Sequence, residues 1–318
     1  MKDILYIVVP CYNEQEVLRE TAKRLCDKIN SLVADDKISS KSRILFVDDG
    51  SKDTTWDIIS ELHCENSVFS GVKLSRNRGH QNALLAGLSV ACEKADVTIS
   101  MDADLQDDIN AVDAMLEKYY DGCDVVYGVR SSRKKDSFFK KNTALAFYKI
   151  MNFLGAETVY NHADYRLMSK RAVKGLMQFK EKNLFLRGIV PLVGYKSDKV
   201  YYERSKRFAG ESKYPLKKMI AFAVDGITSF SVKPIRYITT LGFLMFLVSI
   251  GLLIYSVIRW IIGASVLGWA SLICSVWAIG GLIMLSLGVI GEYIGKMYME
   301  VKERPSFILE TVLDDEDN

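Results

Sequence analysis

Between Tyr237 and Gly291 the only formal charge is Arg259, in a chain whose 318 residues are 25% charged overall. That stretch limits the fold more than any motif does. Two uncharged runs lie within it, Ile238–Ile258 (21 residues) and Trp269–Ile290 (22 residues), and each matches the ~20 residues a helix needs to cross a bilayer core. Arg259, Trp260, Gly263 and Gly268 separate them, as expected of a turn with an interfacial anchor. Lys233 and Arg236 precede the first run, and Lys296, Lys302 and Arg304 follow the second. By the excess of basic residues on the cytoplasmic side, the runs read as a transmembrane hairpin with both termini in the cytoplasm.

The segment before the hairpin carries its charges evenly. The net charge of +3 comes with no basic stripe interleaved with aromatics, so nucleic acid is not an expected partner. Six cysteines (Cys11, Cys26, Cys64, Cys92, Cys123 and Cys274) form no CxxC pair and read as isolated thiols of a reducing compartment. The apolar run Ile4 to Val9 is too short for a signal-peptide core and meets Pro10 at once. The expected location is therefore the cytoplasmic face of the inner membrane, with the chain multi-pass.

From Ile4 to Tyr127 short apolar runs alternate with amphipathic stretches, the pattern of βα units around a mainly parallel sheet. Expected strands are Ile4–Val9, Ile44–Val47, Val72–Leu74, Val97–Met101 and Val125–Tyr127. Leu18, Ala22, Leu25, Ile29 and Leu32 share one face of an expected helix. Two later stretches, 138–154 and 216–230, also read as helices, the second lying at the membrane interface. In open α/β sheets ligands bind beyond the carboxyl ends of the strands, and the polar motifs of this chain follow those ends.

The first strand runs into Pro10-Cys11-Tyr12-Asn13-Glu14 and the second into Asp48-Asp49-Gly50-Ser51. Taken alone, the latter is an ordinary turn and helix cap; on a shared edge its carboxylates can accept hydrogen bonds from a uracil imide and ribose hydroxyls. The fourth strand runs into Asp102-Ala103-Asp104-Leu105-Gln106-Asp107. Alternation along a strand would point Asp102 and Asp104 the same way, so the pair could share one hard cation, Mg²⁺ or Mn²⁺. A departing nucleoside diphosphate needs such a cation. Arg130 leaves a strand end on the same edge, and its planar fork suits a phosphate. His80 opens a helix behind Gly79 and reads as a capping or packing residue.

These motifs, together with Leu74-Ser75-Arg76-Asn77-Arg78-Gly79-His80-Gln81, resemble the inverting GT-A glycosyltransferases of family 2. Asp164-Tyr165-Arg166-Leu167-Met168-Ser169 and Arg207-Phe208-Ala209-Gly210-Glu211-Ser212-Lys213-Tyr214 narrow the resemblance to bacterial bactoprenol-phosphate glucosyltransferases, relatives of dolichol-phosphate mannose synthases. The resemblance implies transfer of a hexose from a nucleotide-sugar, UDP-glucose first among the choices, to undecaprenyl phosphate. It implies that Pro10, Tyr12, Glu14, Asp48, Asp49 and Asp102 line the nucleotide-sugar pocket and that Asp102, Asp104 and Gln106 hold the metal. Asp104 and Arg130 would carry the chemistry, with Arg130, Lys141, Arg207 and Lys213 at the acceptor phosphate or the diphosphate.

The expected organisation is a catalytic GT-A domain over 1–213, an interfacial region over 214–236, two membrane helices within 237–294 and a cytoplasmic tail over 295–318. A homo-oligomer is compatible with it. A processive polysaccharide synthase would need a QxxRW motif, and none of Trp56, Trp260, Trp269 and Trp277 sits in one. A non-catalytic nucleotide-sugar binder would not need the acidic pair beside Arg130.

Overall fold

The computed structural model describes residues 2–131, 162–182, 185–203, 233–262 and 269–314. The expected strands form: β1 (Leu5–Cys11), β2 (Arg43–Asp48), β3 (Phe69–Leu74), β4 (Val97–Ser100) and β5 (Val125–Arg130). Between them run α1 (Leu18–Ala34), α2 (Thr55–Glu65), α3 (His80–Lys94) and α4 (Ala111–Tyr120). Leu18, Ala22, Leu25, Ile29 and Leu32 are all buried on α1, as their spacing requires. β6 (His162–Ser169), α5 (Lys170–Leu176), α6 (Leu186–Leu192) and β7 (Ser197–Tyr202) follow.

The eight-stranded sheet has the order β7-β5-β6-β4-β1-β2-β3-β8, its last strand being β8 (Leu309–Leu313). It is mixed. β1 pairs in parallel with β2 and β4, as do β2 with β3 and β5 with β7. β6 is antiparallel to both β4 and β5, and β8 is antiparallel to β3. Because β6 runs backwards, its first residues reach the edge where β1 to β5 end. α3 packs closely over β1 and β2: a side chain at Gly87 would sit 2.4 Å from Val8 Cγ1 and 2.6 Å from Val47 Cγ2. That fit brings the first turn of α3 to the same edge.

Contacts divide the chain into two units, Met1–Tyr148 with Thr158–Tyr214 and Arg304–Asn318, and Lys149–Glu157 with Pro215–Glu303. Of the expected C-terminal tail, 295–318, the part from Arg304 onward is grouped with the sheet-bearing unit. β8 belongs to the sheet, and Asp314, just beyond it, pairs with Lys94 at 2.9 Å.

The second unit contains two long helices in contact, α7 (Lys233–Ile261) and α8 (Trp269–Val301). Among the described residues one stretch, Ile279–Val301, is long and apolar enough to cross a membrane, and the apolar stretch of α7 that passes the same test of composition, Ile235–Met245, is shorter. Of the expected pair of spans, 238–258 and 269–290, the described residues supply one stretch that meets the requirement, and it lies further along the chain, at Ile279–Val301. None of the Ile279–Val301 stretch is buried in the protein, unlike the core helix of a soluble domain. Thr239, Thr240 and Ser286 donate their hydroxyls to carbonyls four residues earlier, which removes the need for water at those groups. Stretches 138–154 and 216–230 lie outside the described residues.

Candidate active site

The carboxyl ends of β1 and β2 are sewn together by hydrogen bonds. Asn13 N–H donates to Ser51 Oγ (2.9 Å), Lys52 N–H to Asn13 Oδ1 (2.9 Å) and Glu14 N–H to Thr55 Oγ1 (2.9 Å). Pro10 is buried beneath this seam, whereas Tyr12 is exposed and Glu14 half-buried. Asp48, fully buried, accepts the Ser51 N–H through both carboxylate oxygens. Burial pushes its carboxyl up, against the Ser51 hydrogen bonds and the charge of Lys73.

Asp49 holds the next loop. Its carboxylate accepts the N–H of Arg78 at 2.6 Å and of Gly79 at 2.8 Å. Burial again wins and raises its carboxyl above the usual range. Gly50 (φ +66°) allows a backbone-to-backbone approach, since a side chain there would lie 2.6 Å from Asn77 N and 2.7 Å from the Arg76 carbonyl carbon. The loop of residues 75–79 and the 48–51 turn thus form one continuous wall.

β4 ends at Ser100 rather than at Met101, and Asp102 and Asp104 lie in the turn that follows. The alternation argument for their common direction therefore does not apply. The turn is shaped by Leu105 (φ +56°) and held from below by Thr21 Oγ1, which donates to the Ala103 carbonyl at 2.8 Å. Tyr165 Oη donates to the Asp108 carbonyl at 3.0 Å. Asp104 is 8% exposed and accepts the Gln106 N–H at 3.2 Å. Asp102 is half-buried, and burial pushes its carboxyl up to about 6; His80 opposes the shift, and Asp107, Asp164 and Asp104 reinforce it.

His80 is drawn into this acidic group. Its Nε2 lies 3.6 Å from Asp102 Oδ1 and 3.7 Å from Asp164 Oδ2. Partial desolvation acts to lower the imidazole, but the neighbouring Asp164 and Asp102 carboxylates outweigh it, and the net shift is upward. Asp164 is gripped by Arg187 of α6, whose Nε and an Nη donate to its two oxygens at 3.1 and 3.0 Å. Arg166 stands behind at 3.9 Å. Burial would raise the Asp164 carboxyl, but Arg187, His80 and Arg166 together hold it well below the usual carboxylate range.

Arg166 itself is 1% exposed, and among the described residues none of its three guanidinium nitrogens has a hydrogen-bond partner. Its near neighbours are the Asp164 carboxylate and the Tyr127 ring, 5.6 Å from the guanidinium carbon. A buried guanidinium is costly unless compensated; here the compensation is charge rather than hydrogen bonding.

At the end of β5, Arg130 pairs in register with Tyr202 of β7 and hydrogen-bonds its hydroxyl. Tyr202 Oη donates to Asp107 Oδ1 at 2.5 Å, fixing the far side of the 101–108 turn. Arg130 thus reaches the edge that carries Asp102 and Asp104. Lys141, Arg207 and Lys213 lie outside the described residues.

The sequence reading set His80 aside and assigned no role to Asp164, Arg166 or Arg187 beyond the motif that holds the first two. A signal was present. Asp164 and Arg166 are i and i+2 on one strand and so share a face, but nothing local says that β6 runs antiparallel and brings that face to the ligand edge. Among the described residues no three His, Cys, Asp or Glu side chains enclose a metal ion. Asp102 and Asp104 supply oxygens only; that donor set fits part of the shell of a hard divalent cation, the rest coming from phosphate oxygens.

The fold and this edge define a GT-A-like α/β protein with a mixed sheet and an acidic turn beyond β4. The chain belongs to glycosyl transferase family 2, whose model matches residues 6–177. It is 53% identical over 307 residues to "Uncharacterized glycosyltransferase YkoT" of Bacillus subtilis (strain 168), covering 96% of this chain and 91% of that one. It is 37% identical over 308 residues to the "Prophage bactoprenol glucosyl transferase homolog" of Escherichia coli (strain K12), covering 96% and 98%. The "Bactoprenol glucosyl transferase" of Shigella phage SfV is likewise 37% identical over 307 residues, covering 95% and 97%.

Proposed function

We propose that this protein transfers a hexose, glucose before others, from a UDP-sugar to a polyprenyl phosphate of the undecaprenyl type, at the cytoplasmic face of the membrane. The observation that carries the reading is the meeting at one sheet edge of the Asp102–Asp104 turn, the Asp48–Asp49 wall and Arg130, in a chain that also has an apolar helix of membrane-crossing length. Relatives named bactoprenol glucosyl transferase over nearly their full length support the acceptor class.

In this reading the 48–51 turn and the 75–79 loop receive the nucleoside, and Asp102, Asp104 and Gln106 hold Mg²⁺ or Mn²⁺. The cation supplies charge stabilisation to the departing diphosphate. Arg130 orients the acceptor phosphate, with Lys141, Arg207 and Lys213 assisting there or at the diphosphate. A phosphate monoester has its second pKa near ~6 and is mostly a dianion at neutral pH. Its attacking oxygen carries no proton, so no general base is needed. The state of Asp164 agrees: a carboxylate held far below its usual range by two guanidinium groups is a poor base. Attack from the face opposite the leaving group inverts the anomeric centre, giving a β-linked lipid from an α-linked donor.

In this reading the catalytic unit and both termini lie on one side, with α7 and α8 as the two spans, and the basic residues that flank the two apolar runs support it. The experiment is to reconstitute the full chain in membranes with UDP-glucose, UDP-galactose, UDP-N-acetylglucosamine or GDP-mannose and undecaprenyl phosphate. Mass spectrometry and NMR then identify the lipid product and its linkage. A β-linked glucosyl lipid is expected; absence of any sugar-lipid from all four donors overturns the reading, and an α linkage overturns direct displacement. Reporters on the two termini should label from the same side, and opposite-side labelling excludes the hairpin.

A further inference from the structure

β8 is a thin strand. Leu309, Glu310 and Val312 are exposed, and no residue of β8 belongs to the buried core cluster. It is held by main-chain pairing to β3 and by two ion pairs, Lys73–Glu310 at 3.0 Å and Lys94–Asp314 at 2.9 Å. An element that adds so little to the core is expected to matter for what it touches.

What it touches is the root of the 75–79 loop. β8 runs antiparallel along β3, with Gly71 opposite Leu313, Val72 opposite Val312 and Lys73 opposite Thr311. The register then slips, so that Leu74 faces Leu309 and Glu310 occupies the irregularity. Such bulges re-aim a strand where they fall, and this one falls on the last residue of β3. Ser75 N–H, the first of the loop, donates to the Ile308 carbonyl at 3.1 Å. Three and four residues further on, the Arg78 and Gly79 amides are bound by Asp49, and the Arg76–Asn77 backbone lies against Gly50. The loop is therefore pinned at both ends, by β8 at its root and by the β2 turn at its tip.

We propose that β8 is a positioning element of the nucleoside-diphosphate pocket. The strand that follows the membrane helix fixes the root of the 75–79 loop, and through it the wall that the loop makes with Asp49 and Gly50. Without β8, β3 would become a bare sheet edge and Ser75 would lose its acceptor, while the core and the Asp102–Asp104 turn would stay as they are. The inference rests on the assignment of the 48–51 and 75–79 segments to the nucleotide, and it predicts an effect on nucleotide affinity rather than on the transfer step.

The test uses the full chain carrying Thr311→Pro and Val312→Pro together. N–H groups alternate in direction along a strand, so one of the two prolines removes a donor that faces β3. UDP affinity measured by calorimetry should fall about tenfold. KM for the sugar nucleotide should rise while kcat stays within about twofold. Hydrogen exchange of the Arg78 and Gly79 amides should accelerate, with the melting temperature lowered by only a few degrees. A milder variant guards against misfolding: Asp314→Lys opposes Lys94 and should weaken UDP by about threefold, and Lys94→Glu with Asp314→Lys should restore it. Unchanged UDP affinity and unchanged protection at Arg78 and Gly79 would overturn the proposal. So would a general loss of protection with a large drop in melting temperature and no rescue by the charge swap. If the unaltered chain binds no UDP, the nucleotide assignment fails instead, and amide exchange at Arg78 and Gly79 still decides whether β8 sets the loop.

Discussion

Asp49 and Asp164 are two carboxylates sunk at the same sheet edge and satisfied in opposite ways. Asp49 is met by backbone amides of Arg78 and Gly79, and burial raises its carboxyl. Asp164 is met by the side-chain charges of Arg187, His80 and Arg166, which hold it far below the usual range. Amide donors fix where a loop lies, and at Asp49 they lower the carboxyl by less than burial raises it. Opposing charges fix protonation, and they tie together side chains from α3, β6 and α6. One half of the edge is built as a shaped wall and the other as a charge cluster beside the Asp102–Asp104 turn.

The largest effect should come from the charged half. Asp104→Ala is expected to lower sugar-transfer turnover at least about a hundredfold, as removal of a group that stabilises developing charge does, with chelation of divalent metal mimicking it in the unaltered chain. Activity that survives both would end the metal assignment of the turn.

Next comes the hub. Asp164→Asn leaves Arg166 buried without its compensating charge, a class of change that costs about 3 kcal/mol and should appear in chemical denaturation at pH 7. A carboxylate whose folded pKa is depressed stabilises above the unfolded value of about 3.9 and loses that contribution as pH falls through the folded value. The gap between variant and parent should therefore close in acid. A gap unchanged with pH would mean that packing, not charge, holds the cluster.

Asp49→Asn should be milder. One carbonyl remains to accept from the two amides, and the lost hydrogen bond corresponds to about 1 kcal/mol, read as weaker UDP binding. UDP binding unchanged by the substitution would show that the wall does not depend on Asp49.

Asp102→Asn should give the smallest change and the opposite sign. The Asp102 carboxyl, pushed up to about 6, favours its protonated form in the fold. Its ionisation therefore costs stability as pH rises from the unfolded value through about 6. The neutral asparagine should melt higher than the parent at pH 7.5, by on the order of 1 kcal/mol after allowance for solvent contact, and match it near pH 4, while transfer is impaired. Lower stability at pH 7.5 would show that the His80 contact outweighs the repulsion from Asp104, Asp107 and Asp164.

Much of this was legible in the amino-acid order. Periodicity located β1 to β5 and the buried face of α1, because apolar spacing and strand propensity act locally. The charge-free stretch predicted two helices by the same kind of local rule, and the motif spelling pointed to family 2. Pro10, Asp48, Asp49, Asp102, Asp104 and Arg130 could be placed at one edge because parallel strands bring their carboxyl ends together.

What tertiary structure decided were the antiparallel strands and the partners they bring. Phe307-Ile308-Leu309-Glu310-Thr311-Val312-Leu313 carries a strand signal, but its place beside β3, more than 200 residues earlier in the chain, follows from no local preference. The same is true of β6: its reversal carries Asp164 to His80 and Arg187, and buries Arg166 behind them. Local chemistry dictates which residues extend, coil or enter lipid. Which carboxylate meets an amide and which meets a guanidinium depends on contacts between distant segments, and only the assembled sheet defines those.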